Sequence, residues 1–161
     1  MNSIKISQLP YRNSVSCIVF KGSKYLLVQQ VGWPDIFWKF PQGGVEDGEH
    51  NEETIKRELY EELGIEKYRI VGSSKHLNQY DWSPDSVKLA GFRWRGQTQK
   101  FYLIEYLGKD EDIRLDKKEH QNYKWVGREE LFESIDHDHK NFTNYKNSIE
   151  RVLNEFGRLN L

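Results

Sequence analysis

The chain has little cysteine, no long apolar run and no excess of charge of either sign. Its only cysteine, Cys17, excludes an internal disulfide and a cysteine-based zinc cage. A transmembrane helix needs about 18 or more consecutive apolar residues, and the sequence contains no such run. The first residues, MNSIKISQLPYR, also lack the apolar segment of a signal peptide. We therefore expect a cytoplasmic protein with no membrane contact.

Positive and negative charges nearly cancel. Lysine and arginine number 24 and aspartate and glutamate 25, which gives a formal net charge of -1. A chain with this balance has no general attraction for DNA, RNA or anionic lipid. Any polyanion must therefore be held by a local group of cations or by a metal ion, and we expect no DNA partner.

The composition is that of one folded domain. Hydrophobic residues make up 37% and aromatic residues 14% of the 161 residues, which is enough for a sizeable core. No internal repeat or linker interrupts the chain, so we assign residues 1–161 to a single domain. We expect a monomer, with a dimer left open.

The apolar pattern predicts strands packed around helices. A β-rich run on each side of residues 21–23 indicates a hairpin, and alternation in 98–107 indicates a strand covered on both faces. Apolar residues every four positions predict a helix with Asn51 as its N-cap and Gly64 as its stop. A further helix is predicted over 141–156. The fold class is therefore α/β (α+β), with a mixed central sheet between helices.

Three glutamates cluster on the first of these helices. Glu58, Glu61 and Glu62 are related by three and four residues, so they project from one helix face. Like charges at this spacing each cost a few tenths of a kcal/mol, and the last turn of a helix disfavours anions. A divalent cation would reverse both penalties, and carboxylates are suitable ligands for Mg²⁺.

The glutamates belong to a longer pattern of fixed offsets, Gly-x5-Glu-x7-Arg-Glu-aliphatic-x-Glu-Glu-x-Gly-aliphatic. It is matched by Gly43, Glu49, Arg57, Glu58, Leu59, Glu61, Glu62, Gly64 and Ile65. The pattern resembles the signature of the Nudix hydrolase family, with no departure. The resemblance implies a Nudix-type α/β/α sandwich with a catalytic loop-helix-loop and a C-terminal helix. It also implies an enzyme that hydrolyses phosphoanhydrides with Mg²⁺, or with Mn²⁺ in its place.

The resemblance assigns roles within this segment. Glu58 and Glu62 would be the main metal ligands, Glu61 would assist them, and a backbone carbonyl near Gly43 would complete the shell. Arg57 would serve catalysis by orienting the glutamates through ion pairs.

A distal carboxylate is expected outside this segment. Residues 112–125, DIRLDKKEHQNYKW, resemble the corresponding region of animal-type diadenosine tetraphosphate hydrolases and offer Glu119 as a metal ligand or base. The general base is then Glu58 or Glu119, and the sequence leaves both open.

Two further segments, WKFPQGG and RGQTQKFYL, resemble a subgroup of the family. This subgroup contains plant-type diadenosine tetraphosphate hydrolases and bacterial RNA pyrophosphohydrolases. The resemblance implies that Lys100 faces a phosphate chain and that a base stacks on Tyr80. The other expected substrate contacts are Arg12, Gln42, Gln97 and Gln99.

These features favour one substrate and leave two alternatives. The main expectation is asymmetric hydrolysis of diadenosine tetraphosphate to ATP and AMP. The alternative is removal of pyrophosphate from 5′-triphosphorylated RNA, for which Lys88, Arg93 and Arg95 offer a basic surface. The third hypothesis is a sensor that binds nucleotide or RNA without cleaving it, and the intact set of glutamates argues against it.

Overall fold

A mixed sheet of six strands forms the centre of the molecule. The computed structural model describes residues 5–137 and 144–158. The strands are β1 (Tyr11–Lys21), β2 (Lys24–Gln30), β3 (Gln42–Gly44), β4 (Tyr68–Asp81), β5 (Gly96–Tyr106) and β6 (His120–Val126). Their order in the sheet is β4-β5-β1-β2-β6, and the short β3 pairs with β1. Only the β1–β5 pair is parallel among these pairings, which makes the sheet mixed.

Helices cover both faces of this sheet. They are α1 (Asn51–Leu63), α2 (Pro84–Leu89), α3 (Arg128–Ile135) and α4 (Tyr145–Glu155). Apolar residues of α1 pack on one face, and those of α3 and α4 pack on the other. The fold is therefore the predicted α/β/α sandwich with a mixed central sheet.

Strand β1 shows why two helical layers are needed. Ile18 and Phe20 point into the core beneath α3 and α4, whereas Cys17 and Val19 point into the core beneath α1. Successive side chains of a strand point to opposite faces, so a strand that is apolar at every position must be covered twice. The single cysteine is thus a buried core residue.

Helix α1 begins and ends close to the predicted positions. His50, rather than Asn51, is the N-cap, and its backbone N–H donates to the carboxylate of Glu53 at 3.1 Å. Gly64 ends the helix with φ of 65°. This left-handed conformation is one that glycine adopts without a steric penalty.

The predicted helix at 141–156 corresponds to α4. Of that range, residues 141–143 lie outside the described part of the chain. Within the described residues, no helix is both long and apolar enough to cross a membrane.

We expect truncation of the α1 core face to weaken the fold. Leu59 is fully buried, and Leu59→Ala removes apolar contacts and leaves a cavity that typically costs about 2–5 kcal/mol. Urea unfolding would measure this loss. Tyr60→Ala is the matched control because Tyr60, on the same helix, is 59% exposed. Equal losses of unfolding free energy in the two variants would contradict the assignment of this face to the core.

Candidate active site

A polar cleft of about 380 Å³ lies beside the C-terminal half of α1. Five acidic residues line it: Glu58, Glu61, Glu62, Asp116 and Glu119. The other described lining residues are Arg12, Gln30, Lys39, Gln42, Gly43, Gly44, Trp82 and Gln97. The cleft therefore joins the helix face predicted to hold metal with residues from β1, β2, β3 and β5.

Arg57 fastens the loop before α1 to the helix itself. Its Nε and Nη2 donate to the two carboxylate oxygens of Glu49 at 2.7 and 3.0 Å. Its Nη2 also donates to the carbonyl oxygen of Gly44 at 3.1 Å, and its Nη1 donates to Oε1 of Glu58 at 2.7 Å. A guanidinium is suited to such a junction because it presents five donors in a fixed plane.

The carboxylate of Glu49 is held in its charged form. Hydrogen bonds from Arg57 and from the hydroxyl of Thr54, together with a backbone N–H in this turn, lower the pKa of Glu49 to about 2. The Thr54 hydroxyl donates to Oε1 at 2.7 Å, and the N–H of Glu46 donates to the same oxygen at 3.0 Å. Glu49 thus works as a loop-fixing residue whose charge persists at neutral pH.

Gly43 lets the loop backbone approach Glu58. A Cβ atom added at Gly43 would collide with the carboxylate carbon and Oε1 of Glu58. Strand pairing between Gly43 and Val15 of β1 fixes the backbone at this point. The pattern needs glycine here because the carboxylate occupies the space that any side chain would fill.

The C-terminal end of α1 holds the loop that carries Glu119. The last carbonyls of a helix have no partner within the helix. Here the N–H of Arg114 donates to the carbonyl of Leu63, and that of Asp116 donates to the carbonyl of Glu62, each at 2.8 Å. The N–H of Glu119 in turn donates to the carbonyl of Asp116 at 3.1 Å. The distal carboxylate is therefore placed at the cleft by backbone hydrogen bonds that start from the C-terminal end of α1.

Glu62 is buried and Glu58 is half-buried, and the two carboxylates lie near one another. Burial is the main cause that raises the pKa of Glu58 to about 7, and the charge of Glu62 adds to it. Burial also raises the pKa of Glu62 to about 7, although the nearby ammonium of Lys39 opposes this. Moving a carboxylate out of water disfavours its charged form, so this pair retains protons at pH values where exposed glutamates have lost them.

His120 packs against Glu62 as a neutral ring. Burial, followed by the charge of Lys39, lowers the pKa of His120 to about 4. Its Nε2 lies 3.1 Å from Oε2 of Glu62, but the two atoms are not aligned as a hydrogen bond. The close contact is therefore not an ion pair at neutral pH, and Oε2 of Glu62 is buried without a hydrogen-bond donor.

The donors of the cleft fit a hard divalent cation. Carboxylates and a backbone carbonyl are the oxygen ligands that Mg²⁺ and Mn²⁺ take. The buried, undonated Oε2 of Glu62 and the close approach of Gly43 to Glu58 are what a cation between loop and helix would require. Within residues 5–137 and 144–158, no group of three or more acidic, histidine or cysteine side chains is placed so that it could hold a metal ion together, so cation binding would have to draw the carboxylates closer. We keep Glu58, Glu61, Glu62, Glu119 and the Gly43 carbonyl as predicted ligands.

Most of the residues predicted from the sequence meet at the cleft. Gln42 and Gln97 line it together with Arg12 and the glutamates. Gln99 is fully buried beneath this lining, where its amide donates to Oε1 of Gln42 at 2.8 Å. Gln99 therefore supports a lining residue from below.

Two predicted substrate contacts are placed differently. The sequence predicts that Tyr80 stacks a base, but Tyr80 is 6% exposed and its hydroxyl is hydrogen-bonded to the amide of Gln97. Among the described lining residues, the aromatic one is Trp82, just beyond the end of β4. Lys100 lies outside the lining, with its Nζ 5.9 Å from the centre of the Tyr102 ring.

Four lining residues are not predicted from the sequence: Gln30, Lys39, Trp82 and Asp116. For Lys39 a signal was present, because Trp38 and Phe40 on either side are apolar and core-facing. Alternation along an extended segment would have directed Lys39 to the opposite face. Gln30, Trp82 and Asp116 lie at or beyond strand ends, where the sequence pattern gives no direction.

Comparison with known proteins gives consistent findings. The NUDIX domain profile matches residues 10–146. An RNA pyrophosphohydrolase of Cereibacter sphaeroides is 35% identical over 133 residues, which cover 79% of this chain and 82% of that protein. An RNA pyrophosphohydrolase of Gluconobacter oxydans is 37% identical over 123 residues, which cover 73% of this chain and 72% of that protein.

Solved structures agree at the level of the fold. The crystal structure of a C. elegans Ap4A hydrolase binary complex matches with a TM-score of 0.61 and 22% sequence identity. The match covers 89% of this chain and 95% of that chain.

We expect Gly43→Ala to weaken metal binding while the fold persists. The added methyl group must displace the Glu58 carboxylate, and shifts of groups that orient metal ligands typically cost about 10–100-fold in affinity. Titration calorimetry with Mn²⁺ would measure the change, with circular dichroism as the check of folding. In the control Gly127→Ala the methyl group would meet only the Nζ of Lys24, at 3.7 Å. Unchanged metal affinity in Gly43→Ala would contradict the predicted role of this loop.

We expect the metal-free protein to lose stability as the pH rises from about 4.5 to about 7. Glu58 and Glu62 have a higher pKa in the folded state than in an unfolded chain, so these two groups bind more protons in the folded state across this range. His120, whose pKa is lowered to about 4, has the opposite effect, but it is one group against two. Urea unfolding in a chelator at several pH values would measure the trend. In Glu62→Gln, which removes one titrating carboxyl group, the trend should be weaker. Identical pH profiles for the two proteins would contradict the assignment.

Proposed function

Because this chain belongs to the Nudix family, and is a hydrolase of phosphoanhydrides, we propose that it removes pyrophosphate from the 5′ end of triphosphorylated RNA. The observation that supports this most is a basic and aromatic surface, Arg12, Arg93 and Trp94, that continues from the acidic cleft. The two relatives described above, which share 35% and 37% identity with this chain, are named for this activity.

The residues of this surface are stacked on one another. The guanidinium of Arg12 lies 4.8 Å from the centre of the Trp94 ring, and that of Arg93 lies 4.4 Å from it. Arg12 also packs against the backbone of Gly44 in the cleft. Arginine planes and exposed aromatic rings are groups on which single-stranded RNA stacks its bases and places its phosphates. A strand whose 5′ phosphates lie among the glutamates would pass over this surface.

The basic surface expected from the sequence is smaller in the structure. Arg95 donates to both carboxylate oxygens of Asp81, each at 3.0 Å, and to the carbonyl oxygen of Ser7 at 2.8 Å. Arg95 therefore ties strand ends together. Arg93 is 60% exposed at its side chain and approaches the exposed carboxylate of Asp47 at 3.5 Å, so it is accessible to RNA.

The chemistry of the cleft depends on its carboxylates. Glu58 and Glu62, with Glu61 and the carbonyl of Gly43, would hold Mg²⁺ or Mn²⁺. The cation would neutralise phosphate charge and lower the pKa of a bound water. Glu58 or Glu119 would take the water proton, since both line the cleft. Arg57 would keep Glu58 oriented through the 2.7 Å contact to its Oε1.

Diadenosine tetraphosphate is the second candidate substrate. The same glutamates would act on its phosphate chain, and Trp82 lines the cleft where an adenine ring would find an aromatic partner. The two substrates differ beyond the first nucleotide. RNA extends over Trp94 and Arg93, whereas the dinucleotide ends at its second adenosine.

We expect 5′-triphosphorylated RNA to compete successfully with diadenosine tetraphosphate for the enzyme in Mg²⁺. The kcat/KM for a short triphosphorylated oligonucleotide should exceed that for the dinucleotide by tenfold or more. Trp94→Ala should lower kcat/KM for RNA by about 5- to 150-fold, because a stacked base contributes about 1–3 kcal/mol. The rate for diadenosine tetraphosphate should change far less.

Leu89→Ala is the matched control, since Leu89 is 88% exposed and lies outside the stack. Faster hydrolysis of diadenosine tetraphosphate, with products ATP and AMP, would favour the second candidate. Absence of cleavage of either substrate would leave the non-catalytic sensor as the better description.

A further inference from the structure

Lys39 is a buried cation at the wall of the acidic cleft. The residue is 6% exposed, yet it lines the cleft together with Glu58, Glu62 and Glu119. Lysine is rarely buried to this extent unless other groups compensate its charge. The position therefore calls for an explanation beyond packing.

The backbone of Lys39 is fixed by the sheet. Its N–H donates to the carbonyl of Val28 at 3.0 Å, and the N–H of Val28 donates to the carbonyl of Lys39 at 2.8 Å. The residues on either side, Trp38 and Phe40, are buried in the core beneath α3 and α4. The side chain of Lys39 is thus directed to the opposite face, where α1 carries the glutamates.

The ammonium group is positioned by an amide and an indole ring. Its Nζ donates to Oε1 of Gln30 at 3.2 Å and lies 5.5 Å from the centre of the Trp33 ring. Gln30 itself lines the cleft. These contacts hold the positive charge at the cleft wall in a narrow range of positions.

The other cations near the cleft have different tasks. Arg57 directs its donors to Glu49, Glu58 and the Gly44 carbonyl. Among the described residues that line the cleft, Arg12 and Lys39 are the cationic ones. Arg12 stacks on Trp94 and packs against Gly44, whereas Lys39 is the lining cation whose charge interacts with Glu58, Glu62 and Glu119.

We propose that the ammonium of Lys39 binds the phosphate chain of the substrate and stabilises the negative charge on the departing phosphate. This inference rests on the proposed function only in requiring a substrate with a phosphate chain. It does not require that the substrate be RNA. A water oxygen bonds to one phosphorus and the bridging P–O bond breaks. The leaving oxygen keeps the electron pair, and the water proton passes to Glu58 or Glu119. An ammonium suits this task because its three donors can follow several oxygens.

A simpler role would be to balance the charge of Glu58 and Glu62 without touching substrate. The two roles predict different effects of Lys39→Met. If Lys39 only balances charge, its loss leaves the glutamates more attractive to Mg²⁺ and preserves turnover once metal saturates. If Lys39 binds phosphate, the turnover of Lys39→Met is lower than that of wild type even at saturating metal. Its metal affinity is then equal to or higher than that of wild type.

The experiment compares Lys39→Met and Lys39→Arg with Lys124→Met. Lys124 is the matched control because its Nζ lies 4.3 Å from the centre of the neighbouring Trp38 ring but it is not part of the cleft lining. We expect Lys39→Met to lower kcat by about 100-fold or more, as loss of a charge-stabilising donor does. Lys39→Arg should recover part of the loss, and Lys124→Met should stay within about twofold of wild type.

Three results would overturn the proposal. The first is a kcat of Lys39→Met within about threefold of wild type at saturating Mg²⁺. The second is a loss that higher Mg²⁺ restores. The third concerns the case in which Lys39→Met loses activity because it does not fold. Lys39→Gln retains a donor for Gln30, and wild-type turnover in a folded Lys39→Gln would then overturn the proposal.

Binding of inorganic tripolyphosphate in Mg²⁺ tests the role of Lys39 independently of which substrate the enzyme cleaves. Wild type should bind tripolyphosphate, and Lys39→Met should bind it at least tenfold more weakly, whether or not RNA is cleaved. If wild type does not hydrolyse triphosphorylated RNA, the RNA proposal fails while this binding difference still decides the role of Lys39. Equal binding by the two proteins would overturn the role.

Discussion

The guanidinium of Arg57 joins the loop before α1 to α1 itself, and the form of the cleft depends on this junction. It holds Glu49 through two nitrogens and donates to the carbonyl of Gly44 and to the carboxylate of Glu58. Since the loop and the helix are held by the same group, the backbone at Gly43 stays against Glu58. One guanidinium therefore holds the loop backbone beside the Glu58 carboxylate, which reduces the ordering that binding at this point requires.

The cleft concentrates negative charge at a position where the fold alone would disfavour it. Burial opposes the charge of both Glu58, which is half-buried, and Glu62, which is buried. The helix dipole also opposes the charge of Glu62, because this residue lies in the last turn of α1. The compensating charges come from Arg57 on the same helix and from Lys39 on the segment that bridges to β2. A divalent cation would supply the positive charge that is still needed. The metal-free cleft is therefore less stable than an apolar one would be, as is common at functional sites.

The sequence predicted the parts of the site that depend on local spacing. Glutamates three and four residues apart must share a helix face, and the glycine after Leu63 must end that helix, whatever the rest of the chain does. Long-range placement was harder to predict. Tyr80 and Trp82 have similar local patterns, but Tyr80 pairs with Gln97 inside the sheet, whereas Trp82 lies beyond the end of β4. Lys100 pairs with Val15 of β1, which also pairs with Gly43, yet Lys100 is not among the residues that line the cleft.

The central claim is that this helix and loop form one metal site within a hydrolytic cleft. Crystals grown with Mn²⁺ would test it through the anomalous scattering of the metal. We expect a peak within ligand distance of the carboxylates of Glu58 and Glu62 and of the carbonyl oxygen of Gly43. A peak bound only by other residues, or no peak in this cleft at saturating Mn²⁺, would contradict the claim.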